Sequence, residues 1–265
     1  MNDMHALADA PVMFVFLDIS SLPRQRKLYE NVLGLRVIEN QFHPPHEHHG
    51  LVKYDAGGTI LSINLFAERK FRHTSDGLTL VCRTRAGGLP ERLAAFGTMT
   101  GPDFTDVDGH HYVLRQTPPT DPTLTTDILE LRLAVDDLAT SVPFYREVLG
   151  LRPASAAANT CRLATGSVGI VLEQRRSAVD GRPIRHNASL IVFYTADVLA
   201  AERALTQRGL SFRSSTGFSD IGATARFTDP SGHIFCLYQP SAESLTWGSA
   251  DKVLELMTGR ATASR

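Results

Sequence analysis

Leu28-Tyr29-Glu30-Asn31-Val32-Leu33-Gly34-Leu35-Arg36 and Phe144-Tyr145-Arg146-Glu147-Val148-Leu149-Gly150-Leu151-Arg152 agree at six of nine positions, an offset of 116 residues. A second pair, Asp106-Val107-Asp108-Gly109-His110 and Asp229-Pro230-Ser231-Gly232-His233, recurs at an offset of 123, so the two halves keep register apart from a net insertion of seven residues. Self-similarity at this period predicts two homologous domains. The seam falls in Gln116 to Thr126, where Pro118, Pro119 and Pro122 forbid a helix and favour an extended linker. The expected division is a first domain over 1–117, a linker over 118–126 and a second domain over 127–265 with a helical tail.

Each half reads as strand, helix and three strands, followed by the same again with a shorter helix. In the second half Leu129, Leu131, Leu133 and Val135 alternate with Glu130, Arg132 and Ala134, the period of two of a strand with one apolar face. Asp137 can cap the next helix, which should end at Gly150, where a left-handed backbone carries no Cβ penalty. Pro143 either starts that helix late or kinks it. Further strands are expected at 160–163, 168–173, 190–194, 211–215, 223–228 and 234–238, with a helix over 197–208. The tail from Ser241 to Thr258 holds the single tryptophan, Trp247, and a Val253, Leu254, Met257 stripe at helical spacing, and reads as a docking helix and not a functional element.

Composition narrows function mainly by exclusion. A chain of 265 residues, 43% hydrophobic and 21% charged, can fill two modest cores. Its 27 Lys and Arg against 28 Asp and Glu form no long block of either sign, which argues against a nucleic-acid groove or a polybasic membrane patch. Val12 to Leu17 is too short an apolar run for a membrane span, and Asp3 and Asp9 stand where a signal peptide carries positive charge, so a cytoplasmic location is expected. Cys82, Cys161 and Cys236 are odd in number and widely spaced, and read as reduced, packed thiols.

A strand, then Asp137-Leu138, a helix running through Phe144-Tyr145 to Leu149-Gly150-Leu151, and strands closing on Asp229-Pro230-Ser231-Gly232-His233 together resemble the vicinal oxygen chelate superfamily of glyoxalases, bleomycin-resistance proteins and extradiol dioxygenases. The likeness spans about residues 11–240 and identifies the chain as similar to its tandem two-domain members. It implies an α+β fold in which each domain is a pair of βαβββ units forming a cupped mixed sheet, with helices on the convex side and a small-molecule cavity on the concave side.

Strand parity then nominates pocket residues. Opposite the leucine face, Glu130, Arg132 and Ala134 should point into the cup, as should Val171 and Glu173, with Val168, Ile170 and Leu172 packing outward. Phe14, Phe16, Tyr194, Cys236 and Tyr238 complete the expected lining, together with His111, which either donates to a bound carbonyl or serves a structural hydrogen bond.

Metal-dependent members of that superfamily carry His, Gln or Glu near the start of first strands and Glu on last strands, leaving metal positions open for substrate. The matching positions here fall on Phe14, Leu78 and Val113 in the first half and on Glu130, Leu190 and Cys236 in the second, with Glu173 a further candidate. No metal site is therefore expected. Glu130 either pairs with Arg132 or Arg162 beside a Cys236 that merely packs, or joins Glu173 as a ligand or acid/base pair, or moves a proton alone. His43-Pro44-Pro45-His46-Glu47-His48-His49 carries four of the ten histidines and reads as a solvated or lid-like rim loop or as a metal binder.

The sequence thus supports a binding protein or metal-independent enzyme for a hydrophobic, aromatic small molecule, needing no cofactor. The alternative is a lyase, isomerase or extradiol-type dioxygenase using Fe, Mn, Ni or Zn in the second domain, with Glu130 and Glu173 as its catalytic residues. A small-molecule ligand is the expected partner, nucleic acid and membrane are not, and a homodimer through edge strands stays open.

Overall fold

The computed structural model describes residues 7–41, 49–66, 77–175 and 189–259. Four units follow one another. The first is β1 (Val12–Asp18), α1 (Leu22–Arg26), β2 (Arg36–Asn40), β3 (His49–Asp55) and β4 (Ile60–Phe66). The second is β5 (Leu78–Thr84), α2 (Leu89–Leu93), β6 (Gly97–Thr100), β7 (Asp103–Asp106) and β8 (His111–Arg115). The third is β9 (Thr126–Val135), α3 (Leu138–Pro143), β10 (Arg152–Ala157), β11 (Thr160–Ala164) and β12 (Gly169–Gln174). The fourth is β13 (Ser189–Tyr194), α4 (Val198–Gln207), β14 (Phe212–Ser219), β15 (Gly222–Thr228) and β16 (Ile234–Pro240), and α5 (Ala250–Met257) closes the described chain. Among the described residues no helix is long and apolar enough to cross a membrane.

The strands form two eight-stranded mixed sheets, the α+β architecture expected. Their composition crosses the halves. One sheet runs β14-β15-β16-β13-β1-β4-β3-β2, joining the first unit to the fourth; the other runs β10-β11-β12-β9-β5-β8-β7-β6, joining the second to the third. The joints are antiparallel first strands, with Phe14 opposite Val192 in one sheet and Val81 opposite Glu130 in the other.

The leucine-rich faces of both sheets and the buried faces of the helices make one continuous core, including Leu131, Leu133, Ile170, Leu172, Tyr29, Tyr145 and Leu205. Two details of parity are corrected. Val81 faces Glu130 but Cys82 faces Ile128, so Leu129 bulges out of register and Ile128 takes its place in the core. Leu78 also packs in the core, which leaves Thr79, its neighbour, on the concave face.

The repeated motifs explain the helices. Asp137 caps α3 by accepting from the Ala139 and Thr140 amides. Pro143 ends it, and the chain continues as a π-helical turn, Phe144–Val148, in which the Leu149 amide reaches back five residues to the Phe144 carbonyl. The first half repeats this over Lys27–Val32, with the Leu33 amide on the Leu28 carbonyl. Gly34 and Gly150 follow at φ of 69° and 79°, as left-handed helix ends require.

The Asp-x-x-Gly-His turns prove to be fasteners. Asp229 accepts from the His233 amide at 2.7 Å and from Tyr145 Oη at 2.8 Å and also hydrogen-bonds His233 Nδ1 at 2.8 Å, while His233 Nε2 lies 3.0 Å from the Gly77 carbonyl oxygen. Asp106 accepts from the Asp108 and His110 amides, and His110 Nε2 lies 2.8 Å from the Asp18 carbonyl oxygen. Each turn therefore ties its own unit to a neighbouring one through buried hydrogen bonds.

Candidate functional site

The concave face of the first sheet holds a cavity of about 460 Å³. Phe14 and Phe16 on β1 supply its floor, with ring centroids 5.5 Å apart, and Tyr238 on β16 stands edge-on to Phe14 at 5.6 Å. Leu190 and Val192 on β13 and Cys236 on β16 continue the apolar wall, and Asn64, Thr224 and Arg226 supply polar groups. Alternation puts these side chains here, because Val15, Leu17, Ile191, Phe193, Phe235 and Leu237 take the opposite, helix-covered face.

The roof is the C-terminal segment, contrary to the expectation that the tail only docks. Ser244, Trp247, Ser249 and Val253 line the cavity, and Val253 and Leu256 pack with Phe14 and Val192. A buried ionic cluster holds the roof down. Lys53 Nζ donates to Glu39 Oε1 at 2.8 Å and to Ser249 Oγ at 3.2 Å; Glu39 Oε2 accepts from the Ser249 amide at 3.0 Å and hydroxyl at 2.5 Å; Gln41 adds a further bond to Glu39. The same ammonium lies 5.5 Å from the Phe14 ring centre and 5.6 Å from that of Trp247. Burial opposes ionisation of Glu39, but the Lys53 and Ser249 hydrogen bonds outweigh it and hold the carboxyl below its ordinary range. Lys53 is lowered by burial against the pull of Glu39. Gly248 is required by the close approach, since a Cβ there would stand 2.8 Å from the Ile38 carbonyl oxygen.

Cys236 is a buried wall residue whose thiol burial pushes up to about 11, with Arg226 opposing the shift. It is a thiol and not a thiolate at neutral pH, which suits packing and neither nucleophilic attack nor ligation.

Of the residues nominated from the sequence, Phe14, Phe16, Cys236 and Tyr238 line this cavity. Tyr194 packs beside their cluster without lining it. Glu130, Arg132, Val171, Glu173 and His111 lie on the other sheet. The expected grouping of Glu130 with Leu190 and Cys236 about one centre is therefore corrected: crossed pairing of the units sends β9 and β16 to different sheets.

On its own concave face Glu130 is 3% exposed and held by arginines. Arg132 Nε lies 3.0 Å from Oε1, Arg162 bonds Oε2, and Arg115 stands at 3.6 Å. Burial opposes ionisation of Glu130, yet the bonds from Arg132 and Arg162 keep its carboxyl below the usual range. His111 Nδ1 is 2.9 Å from Thr105 Oγ1. The segment from His43 to His48 and the side chain of His49 lie outside the described residues.

Sequence reasoning missed Lys53, Asn64, Arg226 and Trp247. Parity could have found the first two, since Lys53 alternates with Val52 and Tyr54, and Asn64 with Ile63. The donor set does not fit the metal of the metal-dependent relatives. Phenyl rings and aliphatic chains cannot ligate, Cys236 is a buried thiol, and Glu130 is occupied by guanidinium groups. Among the described residues no group of three or more His, Cys, Asp or Glu could hold a metal ion.

Residues 127–237 match the model of the Glyoxalase/Bleomycin resistance protein/Dioxygenase superfamily. Glyoxalase I from Zea mays is 16% identical, with 97% of this chain and 99% of that one covered at a TM-score of 0.69; a single-site variant of it gives 17%, 96%, 98% and 0.70. A Bacillus subtilis subsp. subtilis str. 168 protein provisionally assigned as a dioxygenase gives 12%, 95%, 97% and 0.65. These identities speak for fold alone. No curated protein matches the chain in sequence. Residues 127–237 thus carry the pattern of the Glyoxalase/Bleomycin resistance protein/Dioxygenase superfamily model, and the whole chain shares the fold of these tandem two-domain structures.

Proposed function

We propose that the protein binds a small, largely apolar and aromatic molecule in the cavity of the first sheet, with no metal taking part. The observation that carries this reading is a partly open cavity of about 460 Å³ whose floor and roof are Phe14, Phe16, Tyr238 and Trp247. Such a volume suits a single drug- or metabolite-sized molecule, and ring edges and faces on opposite walls suit a planar one. Phe14, Phe16, Cys236 and Tyr238 act as its apolar contacts, and Arg226, Asn64 and Thr224 orient its polar end.

Metal-assisted lyase, isomerase or dioxygenase chemistry gains no support from the side chains present, and Glu130 and Glu173 face a different cup. Glu130 is engaged as an ionised hydrogen-bond acceptor, which leaves it poorly disposed to shuttle a proton.

The test is a thermal-shift and calorimetric screen of aromatic metabolites against the wild type and Leu190→Phe, which fills the cavity wall without adding charge. Ligands should raise the wild-type Tm in proportion to concentration and lose at least tenfold in affinity with the variant. Binding unchanged by Leu190→Phe, at an unchanged Tm of the free variant, would place the ligand elsewhere and overturn the reading.

A further inference from the structure

We propose that the concave face of the second sheet is a separate site for the carboxylate or phosphate group of a small molecule, built from Arg115, Arg132 and Arg162 around Glu130. Three guanidinium groups converge on one carboxylate: Arg132 from two residues along the same strand β9, Arg162 from β11 on one side and Arg115 from β8 on the other. A guanidinium carries five N–H donors and a carboxylate accepts about four hydrogen bonds, so Glu130 leaves most of the donors unmet. Among the described residues it is the sole acid paired with any of the three. Locally the cluster keeps two positive charges beyond what Glu130 neutralises.

The exposures separate the roles. Glu130 has a side-chain exposure of 4%, against 42% for Arg115, 29% for Arg132 and 40% for Arg162. The carboxylate is thus the buried anchor that fixes the direction of the guanidinium groups, and their outer edges remain open to a ligand. Holding arginines in advance lowers the ordering cost that a loose basic patch meets on binding an anion.

Arg162 reaches the carboxylate across the intervening strand β12. Gly169 is the register partner of Glu130 on β12, and a Cβ there would lie 2.9 Å from Arg162 Nη2. Arg162 thus lies across β12 over this glycine to reach Glu130. Val81, Val113 and Val171 share the face and give an apolar floor beside the charges, so the favoured ligand is an organic acid or phosphate ester. Glu173 stands on the same face but outside ion-pair distance of all three arginines.

Calorimetric titration of the full chain at low ionic strength, with inorganic phosphate and separately with malonate, tests this. Saturable binding of at least one probe is expected, and whichever binds more tightly identifies the phosphate or the carboxylate class. Arg115→Gln should weaken it about tenfold, equivalent to about 1.4 kcal/mol, the loss of a charge-assisted hydrogen bond. Because Arg115 is exposed and loosely held, this variant should keep its Tm within about 2 °C. Trp247, the single tryptophan and part of the other cavity, should keep its emission unchanged throughout. Absence of saturable binding by both probes, affinity unaltered in Arg115→Gln, or a Trp247 response that tracks occupancy would each overturn the proposal. None of these outcomes depends on whether the first cavity takes an aromatic ligand.

Discussion

Replacing Lys53 by Met should detach the roof of the first cavity, and the cost can be worked from its contacts. Lys53 is 6% exposed and Glu39 7%, so neither charge can recover water without local opening. Breaking a buried pair by removing one partner costs about 3–5 kcal/mol. Here Glu39 keeps the Ser249 amide, the Ser249 hydroxyl and Gln41 as donors, which points to the low end, about 3 kcal/mol. Glu39→Gln leaves the ammonium two neutral acceptors and should cost about 2 kcal/mol. The double variant removes both charges together, so it should cost about 2–3 kcal/mol, short of the sum by about 2–3 kcal/mol of coupling. Urea unfolding of the four proteins measures this cycle, and Trp247 emission reports the roof directly, shifting to the red in Lys53→Met at urea concentrations below global unfolding.

The pH dependence has a definite sign. Glu39 has a folded value below its ordinary 4.5, so its contribution is fully present above that value and is lost as pH falls through the depressed one. Glu39→Gln should therefore flatten the acid limb of the stability curve. A coupling below about 0.5 kcal/mol, or a Trp247 spectrum indifferent to Lys53→Met, would refute the claim that this pair holds the roof.

The two copies of the Asp-x-x-Gly-His turn should respond in opposite ways. Asp229 is lowered, with the His233 and Tyr145 hydrogen bonds outweighing burial, so Asp229→Asn should cost about 2–3 kcal/mol at pH 7 and less below pH 4; Asp106 is raised by burial, so Asp106→Asn should cost under about 1 kcal/mol at pH 7, and relatively more in acid. Equal costs in chemical denaturation would contradict the assignment. Burial pushes Cys236 up to about 11 and Cys82 up to about 12, so a thiol-specific chromophore at pH 8 should label them only on unfolding; rapid native labelling of either would show that its wall is open. Segments 1–117 and 127–265 should copurify when coexpressed and aggregate when made singly, because each alone leaves the β1 and β5 or β9 and β13 edges bare; a well-folded monomer of either would refute this.

What the sequence made legible was local. The Leu-Gly-Leu helix ends, the Asp137 cap, the break at Pro143 and the alternation of β9 and β12 follow from neighbours a few residues apart, where steric and hydrogen-bonding rules are strong. Partner choice among the four units was not legible. Phe14 faces the concave side whether β1 pairs with β5 or with β13, so parity is silent on the point, and the deciding contacts are more than 170 residues apart. For the same reason the Phe14 and Cys236 nominations landed in one cavity while Glu130, read as their counterpart, did not. The Leu129 bulge was hidden because four leucine and valine residues at period two look unbroken. Arg162 was recognisable as a partner of Glu130, whereas Arg115 comes from two strands away across β5.

Crossed pairing also accounts for the chemical contrast between the two cups. Each combines one unit from each half, so an insertion or tail at one end of the chain alters a single cup. The described C-terminal segment lies over the concave face of the first sheet, where it packs on Phe14 and Val192 and makes burial of a charged pair the means of attachment. The second sheet receives no such cover from the described residues, and its central carboxylate is neutralised by three half-exposed arginines instead. A roofed cavity favours apolar surface, because fewer waters reach its floor and unpaired charge there is costly. An open basin tolerates excess charge, because solvent screens it until an anion arrives. One repeated scaffold therefore presents two unlike surfaces, and the difference follows from which cup the tail covers.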